Sequence, residues 1–268
     1  MQPETLNLET LCLRVGDLAR TSGGIIKRDI HRIKQEDLEK KGRHNYVTYV
    51  DKMSEAFLVK ELSALLPEAG FIAEEGTKAR RDGRFRWVID PLDGTTNYIH
   101  ALPIYSISIA LMDHEETILG VVYEVNLNEC FYAWKGSPAY RNGNPIRCSG
   151  TEVLDDALLA TGFPYTDPGY LEHNLQLLGY LLQNSRGLRR LGSAAVDLAY
   201  VACGRFDGFY EYGLNPWDVA AGALIVKQAG GVVSDFRGGA DFIHGKEILA
   251  SNRFLHDNLL DALQTYLR

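Results

Sequence analysis

Trp87-Val88-Ile89-Asp90-Pro91-Leu92-Asp93-Gly94-Thr95-Thr96-Asn97 runs from an apolar segment into two carboxylates and then into a small-residue turn that carries two hydroxyls. Val88 and Ile89 suit a buried strand, and Pro91 cannot donate to a ladder, so the pattern predicts a strand that ends where Asp90 emerges. Asp90 and Asp93 are therefore expected on a loop at a strand end. Carboxylate oxygens favour Mg²⁺, Mn²⁺ or Ca²⁺ over softer metals, and the carbonyl of Leu92 between them is a candidate third oxygen. Gly94 lets the backbone approach a ligand closely, while the amides and hydroxyls of Thr95 and Thr96 suit a phosphate at the start of a short helix. Taken alone, Asp-Pro-x-Asp-Gly is also an ordinary turn, so the rest of the chain has to decide.

The chain has 268 residues, 46% of them hydrophobic, enough to bury a sizeable core as one large domain or two closely packed lobes. Its formal charge is -7, and no basic run is dense enough to track a phosphate backbone, which argues against nucleic acid as a partner. A carboxylate cluster carrying divalent ions would make the same acidic balance compatible with an anionic small substrate. Cys12, Cys130, Cys148 and Cys203 are scattered singly, without Cys-x-x-Cys spacing, and read as reduced packing residues. Met1-Gln2-Pro3-Glu4 lacks the basic and apolar regions of a signal peptide, and no apolar run reaches the length of a bilayer span. The expectation is a soluble cytoplasmic protein that does not engage a membrane.

Upstream of the opening stretch, Leu11, Val15, Leu18, Ala19 and Ile25 recur at helical spacing and predict a helix from Leu6 to about Ile26. Residues 34–45 are charged and almost without apolar anchors, which reads as a solvated loop. A second helix is expected from near Asp51 to Leu66, and Phe71-Ile72-Ala73 forms a short strand that ends in Glu74-Glu75-Gly76. Downstream, residues 105–112, 117–125 and 129–134 read as successive strands of an antiparallel meander. The second half mixes elements: strands at 158–163, 206–212, 232–233 and 248–250, and helices at 171–182, 193–203, 217–229 and 255–267. No internal repeat or Pro-rich linker separates independent domains.

Four carboxylates, Glu74, Asp90, Asp93 and Asp218, are each expected at a junction between regular elements, where they can converge without lying in a core. Bland readings compete. Asp218, in Asn215-Pro216-Trp217-Asp218, sits in a first helical turn, where an acidic side chain suits the helix dipole and needs no ligand. Glu74-Glu75 reads equally well as a solvated turn. His100 reads as a structural hydrogen-bonder, Trp87 and Trp217 as packing residues that brace the loops, and Arg189-Arg190 as a solvated pair.

The run from Trp87 to His100, with Glu74-Glu75 upstream and Trp217-Asp218-Val219-Ala220-Ala221-Gly222 downstream, closely resembles the inositol monophosphatase family of magnesium-dependent, lithium-sensitive phosphatases in order, spacing and surroundings. The resemblance implies a layered α-β-α-β-α sandwich of the sugar-phosphatase type. It is a single domain, with an N-terminal α+β sub-lobe over about residues 1–150 and a C-terminal α/β sub-lobe over 151–268. It also implies a homodimer, and hydrolysis of a small phosphorylated polyol or sugar, first of all myo-inositol monophosphate. Rival substrates on such a scaffold are fructose bisphosphate, histidinol phosphate and nucleotide phosphates. A different class of alternative is a regulatory binding protein without turnover.

At matched positions the resemblance implies that Glu74, Asp90, the Leu92 carbonyl, Asp93 and Asp218 bind up to three Mg²⁺ ions. Glu74 and Thr95 would position the attacking water, and Asp51 would accept a hydrogen bond from Thr95. Gly94 and Thr95 would donate amides to the phosphate, and Asp93 and Asp218 would border the substrate. Glu211 matches the polyol-contacting glutamate, and Ser193 and Ala194 lie in the segment lining the same pocket. Lys41 matches a catalytic-loop lysine loosely, with Lys40 as its rival. Ala73-Glu74-Glu75-Gly76 departs from the more usual Gly-Glu-Glu-Ser of the family, which leaves the metal role in place and alters the local hydrogen bonding. Neither a Ser-His-Asp set nor a Cys-x5-Arg loop stands out, so direct attack by water is the simpler route to a slow hydrolysis.

Overall fold

The computed structural model describes residues 6–30, 32, 39–42, 45–76, 83–163 and 168–267. The side chains of residues 40–42, 45–47 and 168 lie outside the description. Helix α1 (Leu8–Asp29) is followed by the strand pair β1 (Glu39–Gly42) and β2 (Asn45–Val47), then by α2 (Tyr49–Leu65). A seven-stranded sheet follows, from β3 (Gly70–Ala73), β4 (Phe85–Asp93), β5 (Ser106–Asp113), β6 (Glu116–Glu124), β7 (Glu129–Trp134), β8 (Ala139–Arg141) and β9 (Asn144–Ile146), with the short helix α3 (Thr95–Ile99) after β4. Its strands lie in sequence order. β3 and β4 pair in parallel, and every later pair is antiparallel.

The second half holds β10 (Leu158–Thr161), α4 (Pro168–Asn184), β11 (Gly187–Arg189), α5 (Ala194–Ala202), β12 (Gly208–Tyr212), α6 (Pro216–Gln228), β13 (Val232–Ser234), β14 (Glu247–Ser251) and α7 (His256–Tyr266). Its five strands order as β11-β10-β12-β14-β13. β10 is parallel to both of its neighbours, and β14 is antiparallel to both of its own.

Strand alternation builds the layers. Trp87 and Ile89 of β4, with Ile107, Ile109 and Leu111 of β5, face α1 and α2 through Val15, Ala19, Leu58 and Leu62. The intervening residues Val88, Ala110 and Met112 face the opposite way, onto α5 and α6, whose far sides meet Phe209, Ile248 and Ala250 of the second sheet. Leu159, Tyr210 and Leu249 then turn outward to Leu177 and Leu181 of α4 and Leu259 and Leu263 of α7. The result is helices, sheet, helices, sheet, helices.

Helix α6 is buried between two sheets, which explains why it is apolar all round and rich in small residues. At Gly120 of β6 the helix comes so close that a Cβ would lie 2.6 Å from the carbonyl oxygen of Ala221.

Two expectations need correction. β4 does not stop at Asp90. It runs to Asp93, with its register against β5 shifting between those residues, so Pro91 occupies an irregular place in the ladder where its missing N–H does no harm. The Pro91 carbonyl instead accepts from Ser54 Oγ at 3.0 Å. The charged stretch read as a solvated loop contains β1 and runs into the first residue of its antiparallel partner β2, and Glu39 forms an ion pair with Lys52 of α2 at 2.7 Å. The described residues also add elements that the pattern did not suggest: β11, and the hairpin β8–β9 turning at Asn142-Gly143, both with positive φ. None of the helices among the described residues is long and apolar enough to cross a membrane.

Candidate metal and phosphate site

The irregularity in β4 turns the two aspartates toward one place. Asp90 is 2% exposed, and its Oδ1 accepts the Leu92 amide at 2.9 Å. Asp93 ends the strand, where its Oδ2 accepts from Ser193 Oγ at 2.6 Å and from the Ala195 amide at 2.8 Å. Ser193 is the N-cap of α5, so Asp93 lies at the positive end of that helix. Asp218 comes from the other side of the site as the third residue of α6, where its Oδ2 accepts the Asn215 amide at 2.7 Å in a capping box. Pro216 at the head of the helix sets the entry of the chain. Asp218 therefore lies in a first helical turn, as expected, and its bond to the Asn215 amide also fixes where its remaining oxygen can go.

Asp90, Asp93 and Asp218 offer ligand atoms that lie within 4.8 Å of one another. Glu74, in the turn after β3, stands beside this group, and its charge falls on Asp90. Its amide donates to the Ile89 carbonyl, and the next amide, of Glu75, donates to Oε2 of the buried Glu55 at 2.8 Å. Glu55 thus pins the turn, a role that its place in an amphipathic helix did not suggest.

Crowding so many carboxylates has an electrostatic signature. Burial, followed by Glu74, Asp93 and Asp218, pushes Asp90 well above the usual carboxylate range. Burial raises Asp93 to about 6 against the lowering effect of its Ser193 and Ala195 hydrogen bonds. Burial and then Asp93 raise Asp218 to about 7. The expectation that these groups converge outside a core is corrected: Asp90 is buried, and Asp93 and Asp218 are half-buried. An all-oxygen set under mutual repulsion fits a hard divalent cation, which would relieve the repulsion and favour the ionised forms.

Next to the carboxylates, Gly94 has φ +94, and a Cβ there would lie 3.0 Å from the Ile104 carbonyl oxygen and 3.2 Å from that of Gly192, so only glycine closes this turn. Thr95 Oγ1 lies 3.1 Å from Asp51 Oδ1 and 3.0 Å from the Leu92 carbonyl oxygen. Asp51 is fully buried, and its other oxygen accepts from the Thr48 amide and hydroxyl at 2.9 and 2.6 Å. Asn97 ties this wall to the facing one by donating from Nδ2 to the carbonyls of Ile104 and Leu191, each at 2.7 Å.

The facing wall holds Ser193, the buried Ala194, and Glu211 at the end of β12. Glu211 is half-buried and pushed up to about 8 by burial, with Arg190 opposing the rise and Asp218 and Asp93 adding to it. Arg190 is exposed, as expected of a solvated pair. Its charge acts on Asp93, Asp197 and Glu211, and its guanidinium lies 5.7 Å from the Phe163 ring. Arg189 stays on the exposed side of β11.

Asp197 was not anticipated. It lies one turn into α5 from Ser193 and is 1% exposed, its pKa is driven up by burial and by Glu211 and Asp93, and its Oδ1 has no hydrogen-bond partner. An aspartate in an otherwise apolar helix, four residues after its cap, was the available signal. The backbone of Lys41 lies in β1, while its side chain and that of Lys40 are outside the described residues. His100 is exposed at the C-cap of α3, and Trp87 is fully buried, as a packing residue should be. Trp217 is partly buried, and its carbonyl accepts from Ser108 Oγ at 2.9 Å.

Residues 9–268 match the family described as the inositol monophosphatase family. The chain is 42% identical over 255 residues to the Nus factor SuhB of Escherichia coli K12, covering 92% of this chain and 96% of the relative. It is 38% identical over 247 residues to an inositol-1-monophosphatase of Mesorhizobium japonicum, covering 92% of this chain and 93% of the relative. Among solved structures, the extragenic suppressor protein suhB of Bartonella henselae superposes with a TM-score of 0.90 at 38% identity, over 94% of this chain and 98% of that one.

Proposed function

The chain belongs to the inositol monophosphatase family, and from that premise we propose that it hydrolyses a small phosphomonoester, first of all myo-inositol monophosphate, to the free polyol and phosphate with Mg²⁺ as its cation. The observation that carries this reading is the meeting of Asp90, Asp93 and Asp218 within 4.8 Å, beside a threonine already hydrogen-bonded to a buried aspartate. The family is metal-dependent, and Glu74, Asp90, the Leu92 carbonyl, Asp93 and Asp218 would hold up to three ions. Bound Mg²⁺ supplies what side chains alone lack: neutralisation of the phosphate dianion and a water acidic enough to attack at neutral pH.

The chain's own residues do the rest. Because Thr95 Oγ1 directs its proton to Asp51 and Leu92, its lone pairs are left to accept from the attacking water, whose orientation Glu74 would complete. The water oxygen bonds to phosphorus as the bond from phosphorus to the polyol oxygen breaks, and the polyol leaves as the alcohol. Amides of Gly94 and Thr95 receive the phosphate. Glu211 offers its carboxyl oxygens to the hydroxyls of the alcohol, which suits a polyol. Thiol chemistry is a poor competitor: burial pushes Cys130 and Cys148 each up to about 12.

In this reading the chain is one domain with sub-lobes over about 1–150 and 151–268 that share this site, a division supported by its two larger sheets. A homodimer is part of the proposal. Support for it comes from Leu171, Leu175 and Leu182 of α4, which are exposed by 45%, 58% and 64% along one side of the helix. A second reading follows from the 42% identity to a protein named as a Nus factor: the chain would act as a binding partner in transcription, with or without turnover. Phosphate release from a panel of phosphomonoesters with and without Mg²⁺ separates the two. Metal-dependent release from myo-inositol monophosphate is expected, and no metal-dependent release from any member would leave only the binding role.

A further inference from the structure

β10 and β12 are parallel neighbours, with Thr161 opposite Tyr210. One residue further along, Gly162 comes beside Glu211, and in this register any side chain at 162 would point to the same face as the glutamate. A Cβ placed on Gly162 would lie 1.9 Å from both Cδ and Oε1 of Glu211 and 2.2 Å from its Oε2. Gly162 does not have a positive φ, so its backbone accepts any L-residue. Space, not conformation, is what demands glycine here. The carboxylate resting in that space feels Arg190, Asp218 and Asp93, and its own charge acts on the buried Asp197.

We infer that Gly162 is a specificity-determining position: the missing side chain is the seat of the Glu211 carboxylate and sets its aim into the pocket. This rests on the proposed role of Glu211 as acceptor for the hydroxyls of the alcohol. A methyl group at 162 turns the carboxylate out of its seat without touching Asp90, Asp93, Asp218 or Thr95. Recognition of the alcohol then falls while the phosphate chemistry stays.

The test compares Gly162→Ala with the wild type on myo-inositol monophosphate and on p-nitrophenyl phosphate, whose alcohol has no hydroxyl ring. The ratio of kcat/KM for the two substrates should fall roughly tenfold, through KM, with the p-nitrophenyl phosphate rate held within about twofold. Gly162→Ala with Glu211→Asp should recover part of the ratio, because the shorter side chain clears the methyl group. An equal fall on both substrates, or an unchanged ratio, overturns the inference. Two measurements do not depend on turnover. A crystal structure of Gly162→Ala should show the Glu211 carboxylate displaced, and finding it in place overturns the seat. In melting temperature, Gly162→Ala should be destabilising beside Glu211 and close to neutral in a Glu211→Ala background, and an equal loss in both backgrounds overturns it as well. Glu211→Gln alone tests the underlying reading: if that variant keeps wild-type discrimination while the crystal structure shows displacement, the polyol role fails and the seat stands.

Discussion

The two walls of the site are built in different ways. One, from Asp90 to Thr95, is almost continuous in sequence: a strand, an irregularity at Pro91 and a glycine turn bring two carboxylates, a carbonyl and a hydroxyl together within six residues. The other gathers Arg190, Ser193, Asp197 and Glu211 from a strand end, a helix start and a second sheet, and from that side Asp218, at the start of α6, reaches over to join the carboxylates of the first. The hydrogen bonds that join them span about a hundred residues, as from Ser193 to Asp93 and from Asn97 to Leu191. Phosphate and a hard cation present the same chemistry whatever alcohol is attached, so the wall that serves them can be local and fixed. The alcohol varies, and the wall that meets it rests on tertiary packing, where single side chains can change without disturbing the first wall.

Breaking the first wall should be the most damaging change. Asp93→Asn keeps the shape and an oxygen able to accept from Ser193 or Ala195, but removes a charge from the cluster. Phosphate release should drop by about a thousandfold or more on every substrate, with an unchanged circular dichroism spectrum. Near-normal turnover would remove Asp93 from the metal set. A smaller loss is expected for Thr95→Ala, about a hundredfold in kcat with little change in KM, because it deletes the hydroxyl that links Asp51 to the site. Thr95→Ser keeps that hydroxyl and should recover most of the rate. A serine variant as slow as the alanine one would show that the methyl group, not the hydroxyl, matters.

The second wall should answer differently. Glu211→Gln is expected to raise KM for myo-inositol monophosphate roughly tenfold and to leave p-nitrophenyl phosphate within about twofold. Equal losses on both substrates would place Glu211 in the phosphate chemistry and erase the contrast between the walls.

The same contrast decides what a reader of the sequence can see. β4 and its aspartates are legible because strand pattern, proline, glycine and hydroxyls sit in one run; the first-turn place of Asp218 is legible from Asn215 and Pro216, while its nearness to them is implied only by the resemblance. The layered architecture is implied by the resemblance and not by alternation, since β5 to β7 are buried on both faces, while α6 betrays its buried place by being too apolar and too small in its side chains for a surface helix. The continuation of β4 through Pro91 is hidden, because it depends on how β5 pairs across it. Arg190 reads as solvated and is exposed, but the action of its charge on three carboxylates is hidden, because three-residue strands such as β11 leave no period to detect. Gly162 and Glu211 lie 49 residues apart, and nothing local to either marks them as neighbours.

The gentlest test uses the carboxylates without any catalysis. Asp93 and Asp218 are raised in the folded, metal-free protein from the ordinary aspartate range to about 6 and about 7. A carboxyl raised on folding contributes stability that is fully present below its unfolded pKa and is lost as pH rises through its folded value. The metal-free protein should therefore become less stable between about pH 4 and pH 7 as these protons leave, through repulsion confined to one small region. Chelator-treated protein is expected to melt about 5 °C lower at pH 7.5 than at pH 5.5, and millimolar Mg²⁺ at pH 7.5 should recover the difference. Asp218→Asn should flatten the pH dependence and weaken the response to Mg²⁺, whereas Glu211→Gln should leave the Mg²⁺ response in place. If Glu211→Gln abolished that response as fully as Asp218→Asn, the glutamate would belong with the cation ligands and the division between the two walls would not hold.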